Sequence, residues 1–471
     1  MRHDLKLLAA DKILWIVAAL LLFLVAGGIY NGAAWANERK NSVAELERKG
    51  FDELNKQRAE ASELETGAKA MPSLIPPALL PTGKSVPVVL PPAPLAALSV
   101  GQSDIYPYAT SVNLMTEKND LFQEYEQDNP LALLTGKFDL AFVLVFVFPL
   151  LILAVSYNLL SAERENGTLA LTMANAAVSA RKIVAGKFLT RLLLILACAA
   201  GFSLVGLLLS GVNLFASENL PRIGLFVAAI TLYALFWFAA AITVNSFGFS
   251  SATNAIVLGG VWVLIAVIVP SFLNVAATTI HPVPSRLEFV SKMREADNQT
   301  RSEGEKLLKS YYGDHPELAP PDGLTQSQAS QRFYAIRQER QKRLMPEVEQ
   351  FERQLAAQNA LVANYRVLSP AVVMLETLND IAGTSVQRQK SYVRQIREHV
   401  DDLQNFLVPK LMRRETLRAA NYDQIPRFQF REETNAEIRR RGGVGFLLLL
   451  IPTGLLGTYA FWRLSRFSPL K

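Results

Sequence analysis

"FDLAFVLVFVFPLLILAVSYNLLSAERENGTL", residues 138–169, decides the fold of this chain. From Phe138 to Leu160 the only charged side chain is Asp139; the next nine residues, "SAERENGTL", bring Glu163-Arg164-Glu165 and the pair Gly167-Thr168. The apolar run matches the roughly 20 residues that cross about 30 Å of hydrocarbon at 1.5 Å per residue. Hydrocarbon offers no partner for backbone N–H and C=O groups, so such a run spans as a helix. The sudden charge marks where it leaves the apolar phase.

The same test selects five further spans: Ile13 to Trp35, Phe188 to Gly211, Ile223 to Asn245, Asn254 to Leu273 and Val444 to Trp462. The expected fold is an all-α integral membrane protein with six transmembrane helices and two extracytoplasmic inserts, the second mostly helical. Composition agrees, since half of the 471 residues are hydrophobic (50%) and they gather in blocks. The net charge of +6 comes from 48 Lys and Arg spread among 42 Asp and Glu. That pattern fits membrane-edge cations and gives no basic face for nucleic acid. The single cysteine, Cys198, lies in an apolar run, which excludes an intrachain disulfide and a Cys-based metal site.

With six spans, the short basic flanks fall on one side: Arg2, Lys6 and Lys12; Arg181, Lys182 and Lys187; Arg463, Arg466 and Lys471. Lys and Arg favour the cytoplasmic side, so both termini are expected there. Arg439-Arg440-Arg441 falls on the other side, at the end of a long insert, where the rule is weak. Ala34-Trp35-Ala36 has the form of a signal-peptide cleavage site, but the longer apolar core favours an uncleaved anchor.

Five parts follow: 1–36 with the first span, the insert 37–137, the spans and loop of 138–275, the insert 276–443, and 444–471 with the last span. In the first insert, Glu38 to Lys69 is charged and helix-permissive, while Met71 to Pro94 is dense in proline and reads as an extended, semi-rigid strap. "TGKS", Thr82 to Ser85, ends like a phosphate-binding loop, but Ala78 stands where that motif needs glycine, and the chain shows no nucleotide-binding cassette. The second insert carries two apolar stripes at helical spacing. One, after Thr325 as a helix start, is Phe333, Ile336, Leu344, Val348, Phe351, Leu355 and Val362; the other is Val393, Ile396, Val400, Leu403, Leu407 and Leu411. They are expected to pack face to face, with Pro346 starting or kinking a helix.

Catalytic constellations are missing. There is no H-E-x-x-H, no calcium loop and no G-x-S-x-G, and His3, His281, His315 and His399 are scattered. Within the spans only Asp139 and Arg191 are charged, both near ends where they can reach the interface, which disfavours an ion-driven carrier. Polar residues of the apolar blocks, Asn158, Asn245, Ser246 and Asn254, are candidates for the lining of a path through the membrane.

Ser161 to Lys187 is then the only sizeable cytoplasmic loop. Ser161 to Thr172 can form a short helix at the membrane surface, with Glu163, Arg164 and Glu165 facing water or a partner and Leu169 and Leu171 facing lipid. Gly167 permits a bend and Thr168 a cap. A plain polar turn is the alternative on physical grounds.

"SAERENGTLALTMANAAVSARKIVAGK", residues 161–187, resembles the first cytoplasmic loop of ABC-2-type transporter permeases, and six spans without an ATPase in the chain are also that family's pattern. In this family the loop carries a coupling helix that seats on a separate ATP-binding subunit. The resemblance implies that Glu163, Arg164, Glu165, Gly167, Thr168 and Leu169 belong to that contact, and Val178, Ser179, Arg181, Gly186 and Lys187 to the second half of the pattern. It also implies a permease that is not itself an enzyme and binds no cofactor, with ATP and Mg held by the partner. Two permease chains, identical or paralogous, would enclose a path among membrane lipids. "GQSDIYPYAT", "YEQDNPLALLTGKFDLAF", "HPVPSRLEF" and "YDQIPRFQF" look like a bacterial inner-membrane subgroup with large inserts. The inserts would guide substrate or dock a periplasmic or outer-membrane partner. Two rivals stand beside this: a mechanical transmitter that moves nothing across the bilayer, and a membrane enzyme with its site in an insert.

Overall fold

The computed structural model describes residues 12–68, 85–118, 137–169, 180–283, 286–319, 329–413, 415 and 417–466. Helix α1 is Lys12–Glu65, uninterrupted by proline and about 80 Å long at 1.5 Å per residue. Strands β1 (Val86–Val89) and β2 (Ala109–Val112) pair antiparallel, with Val86 opposite Val112. Helix α2 begins as Leu140–Phe142, widens into a π turn at Val143–Val147 and continues as Phe148–Ser156; α3 is Ser161–Glu165. Then come α4 (Ala180–Leu209), α5 (Leu220–Asn245), and α6, formed by Ser251–Val263, a π turn at Leu264–Ile268 and Val269–Ile280. The second insert holds α7 (Arg286–Ser302), α8 (Gly304–Asp314), α9 (Ala329–Tyr365), α10 (Pro370–Ala382) and α11 (Val386–Met412), and α12 is Asn435–Leu464.

Among the described residues six helices are long and apolar enough to cross a membrane, and each matches a span expected from the sequence. The chain is a multi-pass, mostly helical membrane protein. Two spans are central, α2 and α5, whose apolar windows are 67% buried; the other four are 17–28% buried. Helix α5 packs on α12, α4, α2, α6 and α10. The outer spans leave large apolar side chains such as Phe23, Leu209, Ile256 and Leu455 uncovered, as surfaces that meet hydrocarbon do.

Helix α1 approaches its neighbours at two glycines one turn apart. A Cβ on Gly32 would stand 2.5 Å from the Ala97 carbonyl oxygen, and one on Gly28 2.8 Å from the Asp139 backbone. Backbone cannot step aside as a side chain can, so Gly32→Val should destabilise the folded protein by about 1–3 kcal/mol. Thermal melting in detergent reads this, and an unchanged melt would mean the contact is loose.

The part outside the six spans is built from both inserts together. The described part of the proline-rich segment is extended in β1, and from its end to Val100 the chain is mostly buried. Residues 86–89 form β1, and Leu90, Leu95, Leu98 and Val100 are buried, with Leu95 and Leu98 in the same core as the spans. Pro91, Pro92 and Pro94 have no N–H, so burying this backbone leaves fewer donors to satisfy. Residues 71–84 lie outside the description.

The two stripes of the second insert do not pack on each other as expected. Along α11 the buried face is Tyr392, Ile396, Val400, Leu403, Leu407 and Leu411. It lies against the strand pair, where Tyr392 Oη donates to Val88 O at 2.9 Å and Gln404 Nε2 to Thr116 O at 3.2 Å. The valines of β1 and β2 compete for the face that α9 would have covered. Helix α9 packs chiefly on α7, α8 and the second half of α6, and meets α11 at Gln331 and Glu352 and through Tyr334 and Ala335, which share the buried core of α11's face. Pro346 lies inside α9 and does not start it, and Thr325 is outside the described residues.

Helix α10 was not foreseen. The chain turns by 118° between residues 330–368 and Pro370–Ala382, and α10 enters the end of the bundle with Leu378 and Ile381 fully buried. Ser369 makes the elbow: its Oγ accepts from Val372 N at 3.2 Å and donates to Ile265 O, in the π turn of α6, at 2.7 Å. A π turn leaves a carbonyl without its usual partner. The π turn of α2 is served likewise, by Tyr233 Oη on Val145 O at 2.9 Å and Trp262 Nε1 on Phe146 O at 3.1 Å. Three arginine-carboxylate sites surround α10: Arg366 with Glu376, Arg441 with Asp380 and Glu433, and Arg388 with Glu432. Arg441, one of the three arginines that break the charge rule, is thereby neutralised in place.

The histidines remain apart. His281 ends α6, His315 ends α8, and His399 stacks edge-on against Phe428 in α11; His3 is outside the description. Burial holds His399 below its ordinary pKa, which favours its neutral form. Among the described residues no cluster of His, Cys, Asp or Glu could hold a metal ion.

Candidate functional site

The site lies where α2 ends, at the end of the bundle away from the inserts. After Ser156 the helix stops, and residues 157–160 form turns before α3 begins. A helix that breaks among other spans leaves carbonyls without partners, which is costly unless side chains reach them. Four are reached. Arg191 donates to Val155 O, Asn245 Nδ2 to Ser156 O at 3.2 Å, Asn254 Nδ2 to Tyr157 O at 3.1 Å and Lys187 Nζ to Leu159 O at 3.0 Å. Asn245 Oδ1 also accepts from Leu160 N at 3.2 Å. Two of these donors are cations, which suit a helix C-terminus. The opposite end of α2 shows the reverse: Asp139 accepts from Phe142 N at 2.7 Å and Val100 N at 2.8 Å.

Asp139 and Arg191 therefore do not reach out to the interface as the sequence suggested. Each is held on backbone groups at one end of α2, and Asp139 is 4% exposed. Of the residues expected to line a path, Asn245, Ser246 and Asn254 are buried within the chain, at 2%, 3% and 0% exposure. Asn158 is half-buried in the turn itself. Polarity at span ends was a true signal, but of a backbone that needed partners.

The charges of "SAERE" are also engaged within the chain. Glu163 Oε1 pairs with Lys187 Nζ at 2.7 Å. Arg164 donates to the carbonyls of Gly248 and, at 2.9 Å, Phe249, just past the end of α5. Glu165 accepts from Ser251 N at 2.6 Å and Ser251 Oγ at 2.8 Å, at the start of α6. Acid at a helix start and base at a helix end follow the helix dipole. The three residues thus clamp α3 to α4, to the end of α5 and to the start of α6. Ser251 and the carbonyls of Gly248 and Phe249 had no sequence signal, because backbone acceptors and a lone serine carry none.

Leu169 faces protein and not lipid: it is 1% exposed among Leu159, Leu160, Val184, Ile242, Ala460 and Leu464. Gly167 has φ +71°, the left-handed conformation that favours glycine. Thr168 Oγ1 donates to Glu163 O at 3.1 Å and so closes α3 from behind. Arg181 is exposed and Gly186 opens on empty space. Val178, Ser179 and Leu171 lie outside the described residues. Directly after α3 the turn Asn166, Gly167 and Thr168 is exposed at each residue.

Residues 286–431 match a family model described as a domain of unknown function, DUF3526. No curated protein and no solved structure matches the chain. The match covers α7 to α11 and the segment after them, and so falls on the second insert, elbow included, at the other end of the molecule from the clamped turn.

Proposed function

We propose that this chain is the membrane-spanning permease subunit of an ATP-driven transporter of the ABC-2 type, and that the turn after α3 seats on a separate ATP-binding subunit that holds ATP and Mg. The observation that carries this reading is the clamp: a five-residue helix is tied to three spans at once, so a push on Asn166–Thr168 reaches α4, α5 and α6 together. In this reading the protein lies in a bacterial inner membrane with both termini cytoplasmic, the inserts are periplasmic, and a second copy or paralogue completes the path. Which chain groups would line that path is left to the faces between the two copies.

The test must spare the clamp, because reversing Glu163 or Glu165 would break pairs internal to the chain. Asn166→Arg alters an exposed side chain and none of those pairs. An ATP-binding subunit should co-purify with the wild-type protein and fall by about tenfold with Asn166→Arg, equivalent to roughly 1.4 kcal/mol, with melting unchanged. Absence of any such subunit from the wild-type preparation, or no response to the arginine, would remove the reading's support.

A second reading has its own observation. The elbow at Ser369 bonds the DUF3526-matching part directly to the π turn of α6. A mechanical transmitter would use this link to move a periplasmic partner without passing a substrate. Bulky residues that seal the space between two copies would leave such a protein working and stop a transporter.

A further inference from the structure

Beside the clamp, four aromatic side chains form one continuous, partly open cluster. Phe247 and Phe249, from the turn between α5 and α6, stack in parallel with centroids 5.7 Å apart. Phe247 meets Tyr459 at 6.5 Å, and Tyr459 meets Trp462 at 5.9 Å, both on α12. Each is 39–48% exposed. Two guanidinium groups lie on this platform, Arg463 4.0 Å over Phe247 and Arg466 4.4 Å over Trp462. Among the described residues no carboxylate pairs with either. Arg463 is also oriented by its Nε, which donates to Ser246 O at 3.2 Å.

We propose that Arg463 and Arg466, seated on Phe247, Phe249, Tyr459 and Trp462, hold the phosphate of an anionic phospholipid headgroup. The position on α12 argues for lipid as the occupant. Ile451, Leu455, Tyr459 and Trp462 recur every three or four residues, so they share one face of α12, and Arg466 follows in the turn just past its end, over Trp462. Ile451 and Leu455 are 56% and 67% exposed, the uncovered apolar surface of a membrane span. Along this one face the chain passes from aliphatic to aromatic to arginine. That is the order of a bilayer from acyl chain through interface to headgroup. A docked protein would need no such gradient. Arginine suits phosphate through its paired N–H groups, and stacking on the rings restricts it before the lipid arrives. Because Arg164 bonds the carbonyls of Gly248 and Phe249, the lipid site and the clamp share one turn. A bound headgroup would steady the segment that carries Asn166.

Native mass spectrometry of the full-length protein, released from detergent with equal phosphatidylglycerol and phosphatidylcholine of matched acyl chains, tests this. The wild type should retain phosphatidylglycerol in preference. Arg463→Gln with Arg466→Gln should cut that retention about fivefold per arginine, the effect of one cation near a membrane surface. The exposed pair Arg439→Gln with Arg440→Gln, at the other end of α12, should leave it intact. If the glutamine pair melts early, Arg463→Lys with Arg466→Lys keeps both charges and should restore retention. Equal retention of the two lipids by the wild type overturns the proposal, as does an equal loss in both glutamine pairs. Unchanged lipid retention together with loss of a co-purifying protein overturns it too, and assigns the cluster to protein docking.

Discussion

Asn245→Leu should loosen the whole end of the bundle that carries α3. One amide there serves four groups: it donates to Ser156 O and Ala241 O, at 3.2 and 2.9 Å, and accepts from Leu160 N and Asn254 Nδ2, at 3.2 and 3.3 Å. Leucine has nearly the same size and none of this capacity. Leu160 N would then be buried without a partner, at about 1–3 kcal/mol, and Ser156 O would keep only the 3.4 Å bond from Leu159 N. The expected total is about 2–4 kcal/mol, concentrated at residues 156–165. Hydrogen exchange should show protection lost there first, with the spans around Gly28 still protected. Wild-type protection of this segment in the leucine variant would show that water already serves these groups.

Arg441→Leu is the second large effect, and its location is opposite. Arg441 donates through Nε to Asp380 at 3.0 Å and through its two terminal nitrogens to Glu433 at 3.1 and 2.7 Å. The three side chains are 12–23% exposed, so removing the cation leaves two carboxylates facing each other with little water. Loss of one partner in such a site costs about 3–5 kcal/mol when fully buried, and the residual exposure places this one near the lower end. Combining it with Asp380→Asn and Glu433→Gln should recover most of the stability, since the damage comes from the stranded charges. If the triple variant melts as low as the single one, the arginine acts through its packing and not its charge.

These two sites differ in how far they could be read beforehand. The six spans were legible because hydrocarbon imposes a length and an apolar content that any 20-residue window displays. "SAERENGTL" was legible as a place of consequence, since charge directly after a span needs a reason. Its role was only half legible. The sequence suggested charges turned outward, whereas Glu163, Arg164 and Glu165 each have a partner inside the chain. Those partners are Lys187, two backbone carbonyls and Ser251, and two of the three are groups that every residue or any serine can supply. Asn245 and Asn254 stood out as polar residues in apolar runs, and the structure shows a broken helix beside them that accounts for both.

Helix α10 was illegible for a different reason. Its thirteen residues include Glu376 and Asp380 and are too short to span, so neither hydropathy nor length marks it. Only Arg366 and Arg441, far from it in the chain or across a sharp elbow, make its burial possible. The strand pair hid in the same way, because Val86–Val89 among prolines resembles a strap until Ala109–Val112 lies beside it.

What the sequence determined by itself was the number of spans, their helical state and the position of the charged turn. These follow from local rules, the cost of an unpaired backbone in hydrocarbon and the length of a bilayer crossing. What only the tertiary structure decided was which polar group meets which: that Arg164 ends α5, that Glu165 starts α6, that Asn245 mends α2 and that Arg441 accompanies α10 into the bundle. Such pairings depend on distances between segments 61 to 89 residues apart, and no local pattern encodes them.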